Sequence, residues 1–143
     1  MQNVSTDYAW MKWLYSHIGE IEKSGDTPTD FDRRIFDHTD LKLDDKMLAG
    51  CAATACCALE ESGYKSPHDP MAISFQHYGT PCDLQVGCIV VFEWDSGNHH
   101  VTFCNAIVNE EIVSCIGGNQ QSKLQIVNYK RKYIIATRWP LKA

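Results

Sequence analysis

The spacing of apolar residues changes at about residue 86, from helical periodicity to short β-rich runs, and this change limits the possible folds most. The spacing predicts helices over residues 5–24, 51–62 and 70–78, with one or two helical turns ending at Phe36. It predicts strands over residues 88–94, 100–108, 111–116, 124–129 and 133–139. Helices followed by an antiparallel meander indicate an α+β fold, with N-terminal helices packed on a sheet of about five strands.

Length, charge and the N-terminus restrict the class of protein. The 143 residues suffice for one domain, so a single domain over residues 1–143 is predicted. The formal charge is −5, and the triplet Lys130-Arg131-Lys132 is typical of a solvated turn, so nucleic acid is not an expected partner. No apolar run approaches the roughly 20 residues that span a bilayer, and the N-terminus lacks the features of a secretory signal. We expect a monomer, made in a cytoplasm without a signal peptide and without stable membrane insertion.

Cysteine is frequent in this chain, at Cys51, Cys56, Cys57, Cys82, Cys88, Cys104 and Cys115. An odd number leaves at least one thiol free in a monomer, and reduced, buried thiols are expected in a chain without a signal peptide. No Cys-x2-Cys pair exists, and the adjacent Cys56 and Cys57 point in different directions on a helix. Neither a metal site nor a cofactor is therefore predicted.

Three residues in separate segments have the chemistry of a nucleophile, a base and an orienting group. Cys51 begins a predicted helix, where the helix dipole and a nearby imidazolium favour the thiolate. His100 lies on a strand, and Asn119 follows a second strand after Gly117-Gly118, which predicts a tight turn with positive φ. Gln120 is the alternative to Asn119 as the residue that orients the imidazole. This combination predicts a cysteine amidohydrolase.

The alternation of side chains along the strand predicts the face of the sheet on which His100 lies. It places His100, Thr102, Cys104 and Ala106 on one face, which we expect to pack against the small-residue helix that begins at Cys51. His99 would leave the strand on the opposite side, so His100 is the predicted base.

Five segments together resemble the NlpC and CHAP superfamily of papain-like peptidoglycan hydrolases, and in particular a small bacterial and phage family within it. They are Cys51-Ala52-Ala53, residues 87–92, His100-Val101-Thr102-Phe103, residues 116–120 and Arg138-Trp139-Pro140. The match covers about residues 45–140. Where the family has an aromatic residue, an Asp, and Gly at two positions, this chain has Gly50, Cys88, His99 and Thr102.

The resemblance implies a papain-like fold in which Cys51 is the nucleophile, His100 the base and Asn119 the orienting residue. Gly50, Gln120 and Asp45 are further candidates for contacts with the substrate or the oxyanion. The implied substrate is the peptide part of bacterial peptidoglycan, cleaved at an amide bond in the cell wall without a metal. The implied role is that of a phage endolysin released by a holin.

Two other functions are compatible with the same residues. One is an interbacterial amidase effector that travels through a secretion system and is countered by an immunity protein. The other is a non-catalytic wall-binding module, in which Cys51 is only a buried core residue.

Overall fold

A computed structural model describes residues 8–21, 28–40 and 50–143 of the chain. Its helices are α1 (Ala9–Ser16), α2 (Asp30–Phe36) and α3 (Cys51–Glu61), with single 3₁₀ turns at Ala72–Phe75 and Arg131–Tyr133. Its strands are β1 (Thr80–Pro81), β2 (Ile89–Glu93), β3 (His99–Ile107), β4 (Ile112–Gly117), β5 (Gln125–Lys130) and β6 (Ile134–Trp139). Within the described ranges, no helix combines the length and apolar character needed to cross a membrane.

All six strands form one antiparallel sheet in the order β1-β6-β2-β3-β4-β5. The prediction of an α+β protein with an antiparallel sheet is confirmed, and the five predicted strands lie within one residue of their predicted ends. The two-residue strand β1, which pairs with Trp139 and Arg138 at the edge of the sheet, was not predicted. A strand this short has too few residues to show alternation.

Two predicted helices are shorter than expected. Of the range 5–24, residues 5–7 and 22–24 lie outside the described residues, and the helix itself ends at Ser16. Beyond it, the Gly19 N–H donates to Leu124 O and the Leu124 N–H donates to Glu20 O, so this segment pairs with the chain just before β5. The helix predicted over 70–78 is only a 3₁₀ turn, Ala72–Phe75.

The ends of α2 and α3 follow local sequence rules. Thr29 caps α2, because its hydroxyl accepts from the Asp32 N–H while the Asp32 carboxylate accepts from the Thr29 N–H. Gly63, with φ of 86°, follows the last turn of α3 and allows the chain to leave the helix. The predicted end of this helix at Gly63 is therefore confirmed.

Helix α3 is buried along nearly its whole length, from Cys51 to Leu59. Its small side chains pack against the sheet face that presents Val101 and Phe103. The prediction that the His100 face would contact α3 is therefore wrong, although the alternation itself is correct. Large side chains opposite the alanines fill the space between the layers, whereas the small Thr102 and Cys104 would leave it empty.

The opposite face of β3 contributes to a second core. Cys88, Val90, Phe92, Cys104, Val113 and Cys115 are buried there together. Strands β2 and β5 are not neighbours in the sheet, yet the rings of Phe92 and Tyr129 lie 5.2 Å apart between centroids. The sheet therefore curls around this second core, and His100 lies on its inner side.

Gly117, the last residue of β4, allows a close approach between strands rather than a turn. A Cβ at Gly117 would overlap the hydroxyl of Thr102, and the nearest positive φ after it is that of Asn119, at 53°. The positive φ predicted for the Gly117-Gly118 turn is therefore wrong for both glycines and occurs at Asn119 instead. The close approach leaves the Thr102 hydroxyl 2.8 Å from Ile116 O.

Gly117→Ala is expected to destabilise the fold by about 1–3 kcal/mol, because the added methyl group forces β3 and β4 apart. Chemical denaturation of the purified variant measures this change. In a Thr102→Ala background the same substitution should cost less, since the overlapping hydroxyl is gone. Equal costs in both backgrounds would contradict the predicted overlap.

Candidate active site

The three residues predicted to carry the chemistry line one cavity of about 850 Å³. Cys51 enters it from the first turn of α3, His100 from the start of β3, and Asn119 from the turn after β4. Gly50 is buried at the N-terminal end of α3, and Asp45 lies outside the described residues. The fold thus brings together side chains that are 68 residues apart in the chain, from Cys51 to Asn119.

The imidazole of His100 is held by the side chain of Gln120. His100 Nε2 lies 3.1 Å from Gln120 Oε1, and the Gln120 amide nitrogen donates to Cys115 O at 3.2 Å and Gln125 O at 2.6 Å. Backbone carbonyls only accept, so the amide nitrogen must face them and Oε1 must face His100. His100 Nε2 therefore carries the hydrogen, and Nδ1 has the free lone pair that a general base needs.

Gln120, the alternative orienting residue, has the side chain seen in contact with His100, and an orienting role for Asn119 stays a prediction. Gln120 is 1% exposed, and its Oε1 is also 2.8 Å from the Thr102 hydroxyl. Asn119 lies in the left-handed region and lines the cavity instead. Asn adopts positive φ more readily than Gln. This preference could have predicted from the sequence that Asn119 occupies the turn and that the side chain of Gln120 points into the core.

Aromatic rings surround the other sides of the imidazole. The rings of Phe92, Trp94 and Tyr129 lie 6.4, 6.2 and 5.4 Å from the His100 ring between centroids. The sequence pattern did not single out Trp94, which directly follows the neighbouring strand β2, or Tyr129, which comes near His100 only through the curl of the sheet.

Burial among these rings lowers the pKa of His100, and the hydrogen bond that the ring donates to Gln120 opposes this effect only in part. The imidazole is therefore neutral at pH 7. The sequence had suggested an imidazolium at this position, whereas the burial of His100 favours the uncharged ring.

The phenol of Tyr129 stays protonated at the cavity wall. Burial raises its pKa above the usual range, and the nearby thiols of Cys115 and Cys51 raise it further. The Tyr129 hydroxyl lies 3.5 Å from His100 Nε2. Tyr129 thus presents a neutral hydroxyl close to both His100 and Cys51.

The first turn of α3 provides backbone donors beside the thiol. Among the described residues, its first helical hydrogen bond runs from the Thr54 N–H to Gly50 O, so the N–H groups of the preceding turn lie at the positive end of the helix dipole. Gly50, at the N-cap, has no side chain, and the first turn contains no acidic residue. Such a helix start favours a developing negative charge.

His99 differs from His100 in its contacts. Its Nε2 lies 3.1 Å from a carboxylate oxygen of Glu93, and its side chain is 27% exposed. His99 also lines the cavity, at the rim formed by the β2–β3 turn. Among the described lining residues there is no Asp, Glu, Lys or Arg, so the cavity suits an uncharged part of a ligand.

Comparison of the chain with protein-family models, with curated proteins and with solved structures yields no match.

Gln120→Leu should reduce turnover by about 10²-fold, because the imidazole loses the acceptor that fixes its tautomer and orientation. Asn119→Gly, which keeps the positive φ, should cause a clearly smaller loss. Steady-state kinetics on solubilised peptidoglycan, with circular dichroism as a folding check, distinguishes the two. A greater loss in the Asn119 variant would favour Asn119 as the orienting residue.

In the pH profile of kcat/KM, the midpoint of the acid limb should lie below the ordinary histidine pKa of about 6.5. Burial lowers the pKa of His100, and activity is lost only when this residue becomes protonated. Gln120→Glu places a carboxylate beside the ring, favours the imidazolium, and should move this limb to higher pH by about one unit or more. Gln121→Glu, at the exposed neighbouring position, is the control for added charge and should leave the limb in place. An unshifted limb in Gln120→Glu would exclude His100 as the titrating base.

Proposed function

We propose that this protein is a cysteine amidohydrolase that cleaves an amide bond in the peptides of bacterial peptidoglycan. The observation that supports it most is the cavity shared by Cys51 and His100, in which Gln120 keeps the Nδ1 lone pair of the imidazole available. A nucleophile, a base and an orienting amide are the parts that covalent acyl transfer requires.

In the proposed reaction, His100 Nδ1 takes the proton from Cys51 Sγ, and the thiolate attacks the amide carbonyl carbon. The resulting oxyanion is stabilised by N–H groups at the start of α3. As the carbon–nitrogen bond breaks, His100 returns the proton to the leaving amine, and a thioester remains on Cys51. Water, deprotonated by His100, then hydrolyses the thioester and regenerates the thiol.

The state of the other thiols supports Cys51 as the nucleophile. Burial raises the pKa of Cys56, Cys57, Cys82, Cys88, Cys104 and Cys115, with Cys104 at about 11. These six thiols therefore remain protonated and unreactive near neutral pH.

The choice of substrate depends on the resemblance to the NlpC and CHAP superfamily. Three of its motifs contribute to the walls of the cavity, through Cys51, through His100 and through Asn119 with the adjacent Gln120. A papain-like fold, endolysin activity on the cell wall and release by a holin are parts of the same proposal. An effector amidase would use the same chemistry and differ in its route and its immunity protein.

Cys51→Ala and His100→Ala should each abolish the release of soluble peptides from purified peptidoglycan, because each variant lacks a group that the acyl transfer needs. His99→Ala should keep most of the activity, since its partner is Glu93 rather than the proposed machinery. Mass spectrometry of the products assigns the cleaved bond. Full activity in Cys51→Ala with an intact fold would refute the proposed nucleophile.

Iodoacetamide labelling at neutral pH provides a test that needs no substrate. Cys51 should be alkylated before Cys82, which is more exposed but has a raised pKa. His100→Ala should slow alkylation of Cys51 alone, because the base no longer accepts its proton. Uniformly slow labelling would favour the non-catalytic wall-binding module.

A further inference from the structure

A second cluster of reactive side chains lies at the C-terminal end of α3, away from the cavity. It consists of His38, just after α2, and of Cys57 and Glu61, one turn apart on α3. One ligand atom from each lies within 4.8 Å of the other two. Glu61 Oε2 is the centre of the cluster, at 3.1 Å from His38 Nε2 and 3.2 Å from Cys57 Sγ.

Hydrogen bonds from neighbouring side chains orient the groups of this cluster. His38 Nδ1 lies 2.8 Å from Glu60 Oε1, so its other nitrogen points at Glu61. Trp13 Nε1 donates to Glu61 Oε1 at 3.0 Å, and Arg34 binds both oxygens of the same carboxylate. A histidine oriented by a carboxylate, beside an anchored ligand carboxylate, is an arrangement that accompanies metal ions in proteins.

We propose that His38, Cys57 and Glu61 bind a Zn²⁺ ion. Nitrogen, sulfur and carboxylate oxygen are the donors that zinc accepts, and three protein ligands leave the fourth tetrahedral position for water. A thiolate and the Glu61 carboxylate together carry two negative charges to match Zn²⁺, and Arg34 remains bound to the same carboxylate. Binding replaces the hydrogen that Cys57 Sγ donates to Glu61, so the ion enters with release of a proton.

The proposed ion would join the end of α2 to α3. Cys57 lies six residues beyond Cys51 on the same helix, about 9 Å along the helix axis. The site would thus be structural, fixing the helix that holds the proposed nucleophile without contacting the substrate.

The test uses the full chain, stripped of metal with a chelator and kept reduced. Co²⁺, as a spectroscopic substitute for zinc, should give thiolate-to-metal charge-transfer absorption that saturates at one equivalent, and Zn²⁺ should remove it by competition. One equivalent of Zn²⁺ should also raise the Tm by several degrees. Cys57→Ser should lose the absorption, and His38→Ala should weaken binding at least tenfold.

Two control variants make the result specific. Cys56→Ser, at the adjacent buried thiol, should bind Co²⁺ as the unmodified protein does. Cys51→Ala should also bind normally, which separates this site from the proposed catalytic thiol. The proposal is overturned if the stripped protein shows no Co²⁺–thiolate absorption, or if the absorption persists unchanged in Cys57→Ser.

Discussion

Close packing between α3 and the sheet determines the positions of most other elements. The helix is buried from Cys51 to Leu59, and its alanines admit Val101 and Phe103 of β3. Once these large side chains face the helix, alternation sends His100 to the inside of the curled sheet. The same helix places Cys51 at one end and the cluster of Cys57 and Glu61 at the other. Its packing therefore sets the geometry of both proposed sites.

Burial of polar groups is tolerated beside His100 because each has a partner. The Gln120 amide makes contacts with His100, Thr102, Cys115 and Gln125, and it is 1% exposed. A buried amide without partners would cost several kcal/mol, on the order of 2–7 depending on the reference state. Satisfying it here fixes the tautomer of the imidazole. The surrounding aromatic rings then lower the pKa of that imidazole and keep it neutral.

The two proposed sites differ in the charge of the side chains around them. The cavity at Cys51 has no described lining residue with a carboxylate, a guanidinium or an ammonium group. At the other end of α3, a network of close polar contacts joins Glu60, Glu61, Arg34 and His38, and it includes the ion pair of Arg34 with Glu61. A thiol in the first environment meets a neutral base, whereas a thiol in the second meets a carboxylate. This difference in surroundings is the reason for assigning Cys51 to acyl transfer and Cys57 to metal binding.

The sequence by itself determined the order of helices and strands, because periodicity and turn residues are local signals. It located five strands to within one residue, the start of α3 at Cys51 and the candidate pair Cys51 and His100. Which face of β3 meets the helix, which amide holds His100, and which aromatic rings surround it were decided only by the tertiary structure. These three features depend on how large and small side chains fit between the helix and the sheet, and on the curl of the sheet. The residues involved are far apart in the chain, and a local sequence pattern contains no information about the distances between them.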